Sequence, residues 1–247
     1  MSRNQPSFSS SFFPCRGARG TEILTFDKRG EGPYAGVSDG RAEAICGRPL
    51  GLQFYAKIGD LYIAERRQGN GAGDGADGVP FNFVNSVDVD QATGDMYFTD
   101  SSTTYTREHN TEIMINRDAT GRLLKYNTRT RHITVLMAGL PYPNGPHQAF
   151  RYWLKGPKVG SYELFVDLLG YANNVRCDAK GGYWFALNHR QINATSPEHL
   201  VGVWVDAKGG EHGVMTAPKG ITLSDIAEKD GKLWLGSVEL DYIGLAS

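Results

Sequence analysis

The chain has 247 residues, of which 40% are hydrophobic and 21% charged, enough to bury a sizeable core within one large domain. Its 26 Lys and Arg stand against 27 Asp and Glu, and the formal charge of −1 gives no electrostatic basis for a nucleic-acid or anionic-membrane partner. No run approaches the roughly 18 consecutive apolar residues of a membrane-spanning helix. The three cysteines, Cys15, Cys46 and Cys177, include no CxxC pair, which argues against zinc and dithiol redox chemistry.

Residues 1–19 are rich in Ser and Arg and lack the apolar core of a secretory signal, so they read as a disordered tail or the remnant of a targeting segment. Residues 20–247 then form a single domain. Cys46 and Cys177 are expected as small apolar residues within strands. The first strand pair is Leu50 to Phe54, turning at Lys57-Ile58-Gly59-Asp60 into Leu61 to Ala64. The clearest copy of this pair lies between Val79 and Ser102. There Val84 to Val89 alternates apolar with polar residues, Gln91 to Asp95 is a turn, and Met96 to Thr99 is rich in aromatic and β-branched residues. Gly121 to Tyr126 and His132 to Leu136 form a further pair across the polar turn 127–131.

The same pattern returns at Asn174 to Asp178 with Tyr183 to Ala186, and at Ser224 to Ala227 with Leu233 to Gly236. No long segment shows the 3.6-residue period of a helix. Repeated units of about 40 to 50 residues predict an all-β propeller, with blades of four strands. Two pieces are expected to be missing. Only the Gly-rich stretch 69–78 stands where outer strands should follow Ala64, and the hairpin expected after Asn144 is replaced almost at once by Phe150 to Leu154. One glycosylation sequon, Asn193-Ala194-Thr195, matters only in a secreted chain.

Several segments together resemble the plant strictosidine synthase-like family: Gly47 to Leu52, Asp77 to Phe81, Asp88-Val89-Asp90, Tyr97 to Ser102, Gly121 to Tyr126, Arg151 to Gly156 and Lys232 to Ser237. The resemblance implies a six-bladed propeller related in fold to paraoxonases and calcium-dependent lactonases, incomplete in this chain. It also implies a location in the secretory pathway or vacuole. The naming reaction condenses tryptamine with secologanin in alkaloid biosynthesis and needs a carboxylate to move protons. By resemblance that Glu position is Ser224, aligned through Glu228, Asp230 and Gly231, and Thr222 stands where the synthases carry His. A serine hydroxyl does not accept a proton near neutral pH without a partner base. Asp225 is a poor substitute, because successive strand residues point to opposite faces.

The resemblance implies instead a calcium held by Glu22, Asn85, Asn144 and Asn174, each before the innermost strand of a blade. Amide and carboxylate oxygens suit calcium, which would assist hydrolysis of a small lactone or ester. The alternative for each Asn is a turn or strand-start residue that bonds nearby backbone. His147, close after Asn144, is a candidate base by residue type alone, as are His109 and His132. Three readings stay open: calcium-dependent hydrolase, strictosidine synthase, and a non-catalytic remnant that pairs through its exposed edges.

Overall fold

The alternation from Val84 to Val89 is that of a strand with one covered face. The computed structural model describes residues 13–14, 20–37, 50–64, 75–142, 147–188, 198–218 and 220–246. Along the first half of the chain run β1 (Phe13–Pro14), β2 (Thr21–Thr25), β3 (Tyr34–Val37), β4 (Gly51–Tyr55), β5 (Asp60–Ala64), β6 (Gly75–Ala76), β7 (Val79–Pro80), β8 (Val84–Val89) and β9 (Met96–Asp100). A 3-10 turn at Arg107–His109 leads into the short helix α1 (Asn110–Ile115), and β10 (Gly121–Asn127) and β11 (His132–Leu140) follow. The second half contains β12 (Gln148–Tyr152), β13 (Tyr162–Asp167), β14 (Tyr171–Cys177), β15 (Tyr183–Asn188), β16 (Glu198–Val205), β17 (Glu211–Pro218), β18 (Asp225–Lys229), β19 (Lys232–Gly236) and β20 (Tyr242–Ala246).

All five expected strand pairs are present as antiparallel neighbours: β4 with β5, β8 with β9, β10 with β11, β14 with β15, and β18 with β19. Among the described residues three sheets have four strands. They are β8 to β11, β14 to β17, and β18 to β20 with β1 on the outside. Four sheets among these residues stop at two strands: β2 with β3, β4 with β5, β6 with β7, and β12 with β13. The repeat predicts missing pieces at β4–β5 and β12–β13, and the Gly-rich stretch after Ala64 contributes β6 to one short pair with β7. Two residues of the expected tail, Phe13 and Pro14, are strand and pair with Ile243 and Tyr242. Proline is admissible there because the outermost strand leaves one row of donors unused. The six-residue α1 is too short to show a helical period in sequence, yet its Ile113 is buried beside Leu50 and Phe83.

The chain divides into two compact units, one of Met1–Leu24 and Asn144–Ser247, the other of Thr25–Pro143. In the first, β15 is covered on both faces. Ala186 joins a cluster with Met215, Ile226 and Leu235, while Phe185 and Leu187 join Val166, Val203 and Val205. Each such large aliphatic or aromatic side chain contributes about 1.5–3 kcal/mol by leaving water. Cys177 departs from the expectation of a buried strand residue. It shares an exposed face of β14 with Val175, two residues earlier, as strand alternation requires.

Hairpin turns in this unit reuse one phrase, Asp-Ala-Lys-Gly-Gly, at 178–182 and 206–210. Asp178 Oδ1 accepts the N–H groups of Lys180 and Gly182, and Asp206 Oδ1 those of Lys208 and Gly210. Donation from the Gly210 N–H, then from His212 and Lys208, holds the Asp206 carboxyl down at about 2. The folded value is depressed, so this turn's contribution is complete above the ordinary carboxylate range and is lost as pH falls toward about 2.

The second unit is tied by a buried ion pair. Asp100 at the end of β9 and Arg122 in β10 are register partners, with Arg122 Nη2 2.6 Å from Asp100 Oδ2. Asp100 Oδ1 accepts the N–H of Phe83 at 2.8 Å, and Arg122 Nη2 donates to the Pro80 carbonyl at 3.0 Å. The pair thereby fixes residues 79–83, the approach to β8, against the sheet.

Candidate functional site

Asn85 is the second residue of β8, and the register with β9 shifts between Val84 and Val87. A bulge of this kind turns a side chain out of the regular alternation. Asn85 is 2% exposed, and its Nδ2 donates to Ser101 Oγ at 3.3 Å, while Oδ1 is buried with no hydrogen-bond donor among the described residues. An unsatisfied buried amide oxygen costs on the order of 1–3 kcal/mol, so the Asn85 orientation is one that the fold maintains at a cost. Ser101, fully buried and fixed by its own N–H to the Phe83 carbonyl, is the positioning residue. Its role was missing from the sequence reading, although Asp100-Ser101-Ser102 belongs to the segments that carry the family resemblance.

Gly51 of β4 sets the space for this loop. A Cβ at Gly51 would lie 2.5 Å from the Val87 N and 2.6 Å from the Asn85 carbonyl oxygen, both backbone atoms that cannot move aside alone. Gly51→Ala is expected to cost about 1–3 kcal/mol by overpacking and to displace the Asn85 backbone. Thermal unfolding and the Asn85 side-chain amide resonances check this, and an unshifted variant would contradict it.

The other unit brings Glu22, Asn174 and Ser224 together. Asn174 lies in the corresponding bulge of β14, where the register shifts between Ala172 and Val175. Within these bulges Asn85 is the first residue and Asn174 the second, so the residue of β14 in register with Asn85 is Asn173. Asn174 is buried, its Nδ2 donates to the Glu22 carbonyl at 2.9 Å, and its N–H donates to the Ser224 carbonyl at 3.1 Å. Ser224 precedes β18 and is buried, with Oγ donating to the Thr21 carbonyl. That hydroxyl is engaged with backbone. Asp225 faces elsewhere, as strand alternation predicts. Its Oδ2 accepts the Leu24 N–H at 2.8 Å and lies 3.1 Å from Arg176 Nη2. Glu22 itself is buried at the start of β2.

His147 is exposed and its ring stacks on Tyr171 with centroids 4.3 Å apart. His109 and His132 are also exposed, bonded through Nδ1 to Thr106 and Thr134. Asn144 and the sequon residue Asn193 lie outside the described residues. Among the described residues no three His, Cys, Asp or Glu side chains gather as a metal cluster. The donor type that remains is the amide oxygen, and Asn85 Oδ1 fits a hard cation by chemistry and by its lack of a donor. Trp184 packs on the core of the first unit and Trp204 stacks on His212, as blade-packing aromatics do.

Comparison with known proteins decides the family. Residues 85–149 match the family model described as strictosidine synthase. The chain is 31% identical to strictosidine synthase-like 10 of Arabidopsis thaliana, covering 93% of this chain and 85% of that protein. The chain belongs to the strictosidine synthase-like family. A second member, strictosidine synthase-like 3 of Arabidopsis thaliana, is 32% identical over 92% of this chain and 82% of its own length. These alignments run over 319 and 320 residues, more than the 247 of this chain, so the relatives carry internal segments that it lacks. Among solved structures, a candidate gluconolactonase superposes with a TM-score of 0.65 at 13% identity, covering 99% of this chain and 96% of the other. A gluconolactonase of Xanthomonas campestris gives a TM-score of 0.50 at 14% identity, covering 74% and 64%. The fold is the family's six-bladed β-propeller, incomplete at the β4–β5 and β12–β13 sheets. No helix among the described residues is long and apolar enough to cross a membrane.

Proposed function

We propose that this family member is a calcium-dependent hydrolase of small lactones or esters, with asparagine amide oxygens, Asn85 Oδ1 foremost, as ligands of the metal. The observation that carries the reading is the buried Asn85 Oδ1 without a donor among the described residues, in a bulge of the kind that β14 repeats at 173–174. When bound, calcium would supply a Lewis acid for the carbonyl of the substrate. Ser101 holds the Asn85 amide nitrogen, so that the oxygen is the end left for a ligand. The Glu22 carbonyl holds the Asn174 amide nitrogen in the same sense. Their rigidity reduces the reorganisation that binding would otherwise require.

The naming reaction is not favoured. Ser224 offers no carboxylate at the position that resemblance assigns to the catalytic Glu, and its hydroxyl is occupied by the Thr21 carbonyl. Asp225 is held by Arg176 and the Leu24 N–H.

Hydrolysis of a panel of five- and six-membered lactones and aryl esters tests the reading, with calcium added or chelated. Activity is expected with calcium, and Asn85→Ala is expected to lower kcat/KM by about 10- to 100-fold. Lys57→Ala, at an exposed turn residue outside the ligand set, serves as the unchanged control. Rates indifferent to chelation and to Asn85→Ala would overturn the reading, and condensation of tryptamine with secologanin would favour the naming reaction instead.

A further inference from the structure

Of the two-stranded sheets, β4–β5 and β12–β13 are complementary halves of one four-stranded pattern. In the four-stranded sheets the second strand always pairs with the third: β9 with β10, β15 with β16, and β19 with β20. The pair β4 and β5 repeats the first and second strands, as its hairpin matches β8 and β9. The pair β12 and β13 corresponds to the third and fourth. β13 leads directly into β14, the first strand of the next sheet, and Phe150-Arg151-Tyr152 of β12 matches Leu124-Lys125-Tyr126 of β10. The chain thus has a second strand, β5, with no third, and a third strand, β12, with no second, among the described residues.

We propose that β5 of one molecule pairs antiparallel with β12 of a second copy, completing one blade from two chains. Transferring the β9 to β10 register, in which Phe98 faces Leu124 and Tyr97 faces Lys125, sets Ile63 opposite Phe150, Leu61 opposite Tyr152 and Tyr62 opposite Arg151. The two central residues are the ones left in water: Ile63 is 51% exposed and Phe150 44%. Leu61 and Tyr162 extend the same apolar surfaces. The charges are compatible with this register, since Arg151 meets an aromatic ring, as Lys125 does over Tyr97 at 5.9 Å. Unpaired strand edges of this length and hydrophobicity are templates for another chain. A two-fold pair makes both contacts at once, and an open series makes larger assemblies.

Light scattering with size exclusion on the full chain, at tens of micromolar, is expected to show dimers or larger species. Ile63→Lys and Phe150→Lys, each with its circular dichroism compared with the parent, are each expected to weaken association by at least about ten-fold. The pairing itself is read with a short thiol cross-linker in a background where Cys15, Cys46 and Cys177 are serine. Ile63→Cys and Phe150→Cys chains refolded together should give a covalent dimer, and either alone should not. A monomeric parent, association unchanged by both lysine variants, cross-linking of Ile63→Cys chains with each other to the same extent, or a covalent monomer without dimer from the double cysteine variant would each overturn the proposal.

Discussion

Replacing Asp100 by alanine is expected to destabilise the chain by about 3–5 kcal/mol, the cost of leaving one partner of a buried ion pair uncompensated. Arg122 and Asp100 are almost completely buried at 2.6 Å, so water cannot replace the lost partner. The same carboxylate accepts the Phe83 N–H, and Arg122 also donates to the Ala76 and Pro80 carbonyls. Its removal should therefore release residues 76–83 as well as lower the urea midpoint. Limited proteolysis within that segment, together with the midpoint, checks both consequences. Lys125→Ala is the internal comparison, since its bridge to Asp95 is partly exposed and is expected to be worth under about 1 kcal/mol. Equal small losses in the two variants would contradict the assignment.

Asp225→Ala is expected to have an effect of similar size, about 3–5 kcal/mol, in the other unit. Asp225 is fully buried, and it receives the Leu24 N–H and the Arg176 guanidinium. Arg176 in turn donates to the Leu24 carbonyl at 2.6 Å, so one carboxylate orders the strand that carries Thr21 and Glu22. The variant should consequently disturb Asn174 and Ser224 as well as stability. Asp225→Asn keeps an acceptor for the Leu24 N–H and should recover part of the loss. Unfolding midpoints of the two variants, with the Asn174 side-chain amide resonances as the local reading, distinguish this from a remote effect. A perturbed midpoint with unshifted Asn174 resonances would separate Asp225 from the site.

What the sequence made legible was the repeat. Alternation and turn chemistry located β8, β9, β14, β15, β18 and β19 within a few residues, because each hairpin is a local pattern with a Gly- or Asp-containing turn. The same repeat set Asn85 and Asn174 at the starts of two hairpins. It did not disclose that both lie in bulges, since a bulge is a register relation between two strands and leaves no mark in one of them. The Asp100 to Arg122 pair was hidden for the same reason. Both residues sit in segments that carry the family resemblance, yet only the β9 to β10 register brings them together. β1 was missed because two residues of strand give no period to read, and they are ordered by the edge of β20. Ser224 lies next to Asn174 through its carbonyl, and its bond to Thr21 joins residues 203 positions apart, which no local pattern discloses.

The measurement that tests the central claim most directly is thermal unfolding of the full chain with and without millimolar calcium, in the parent and in Asn85→Ala. A ligand that binds only the folded state stabilises it, by about 2.7 kcal/mol when present at 100 times its Kd. The parent Tm is expected to rise with calcium and to return on chelation, and the rise is expected to be lost in Asn85→Ala. A parent Tm indifferent to calcium, or an equal rise in the variant, would contradict the account.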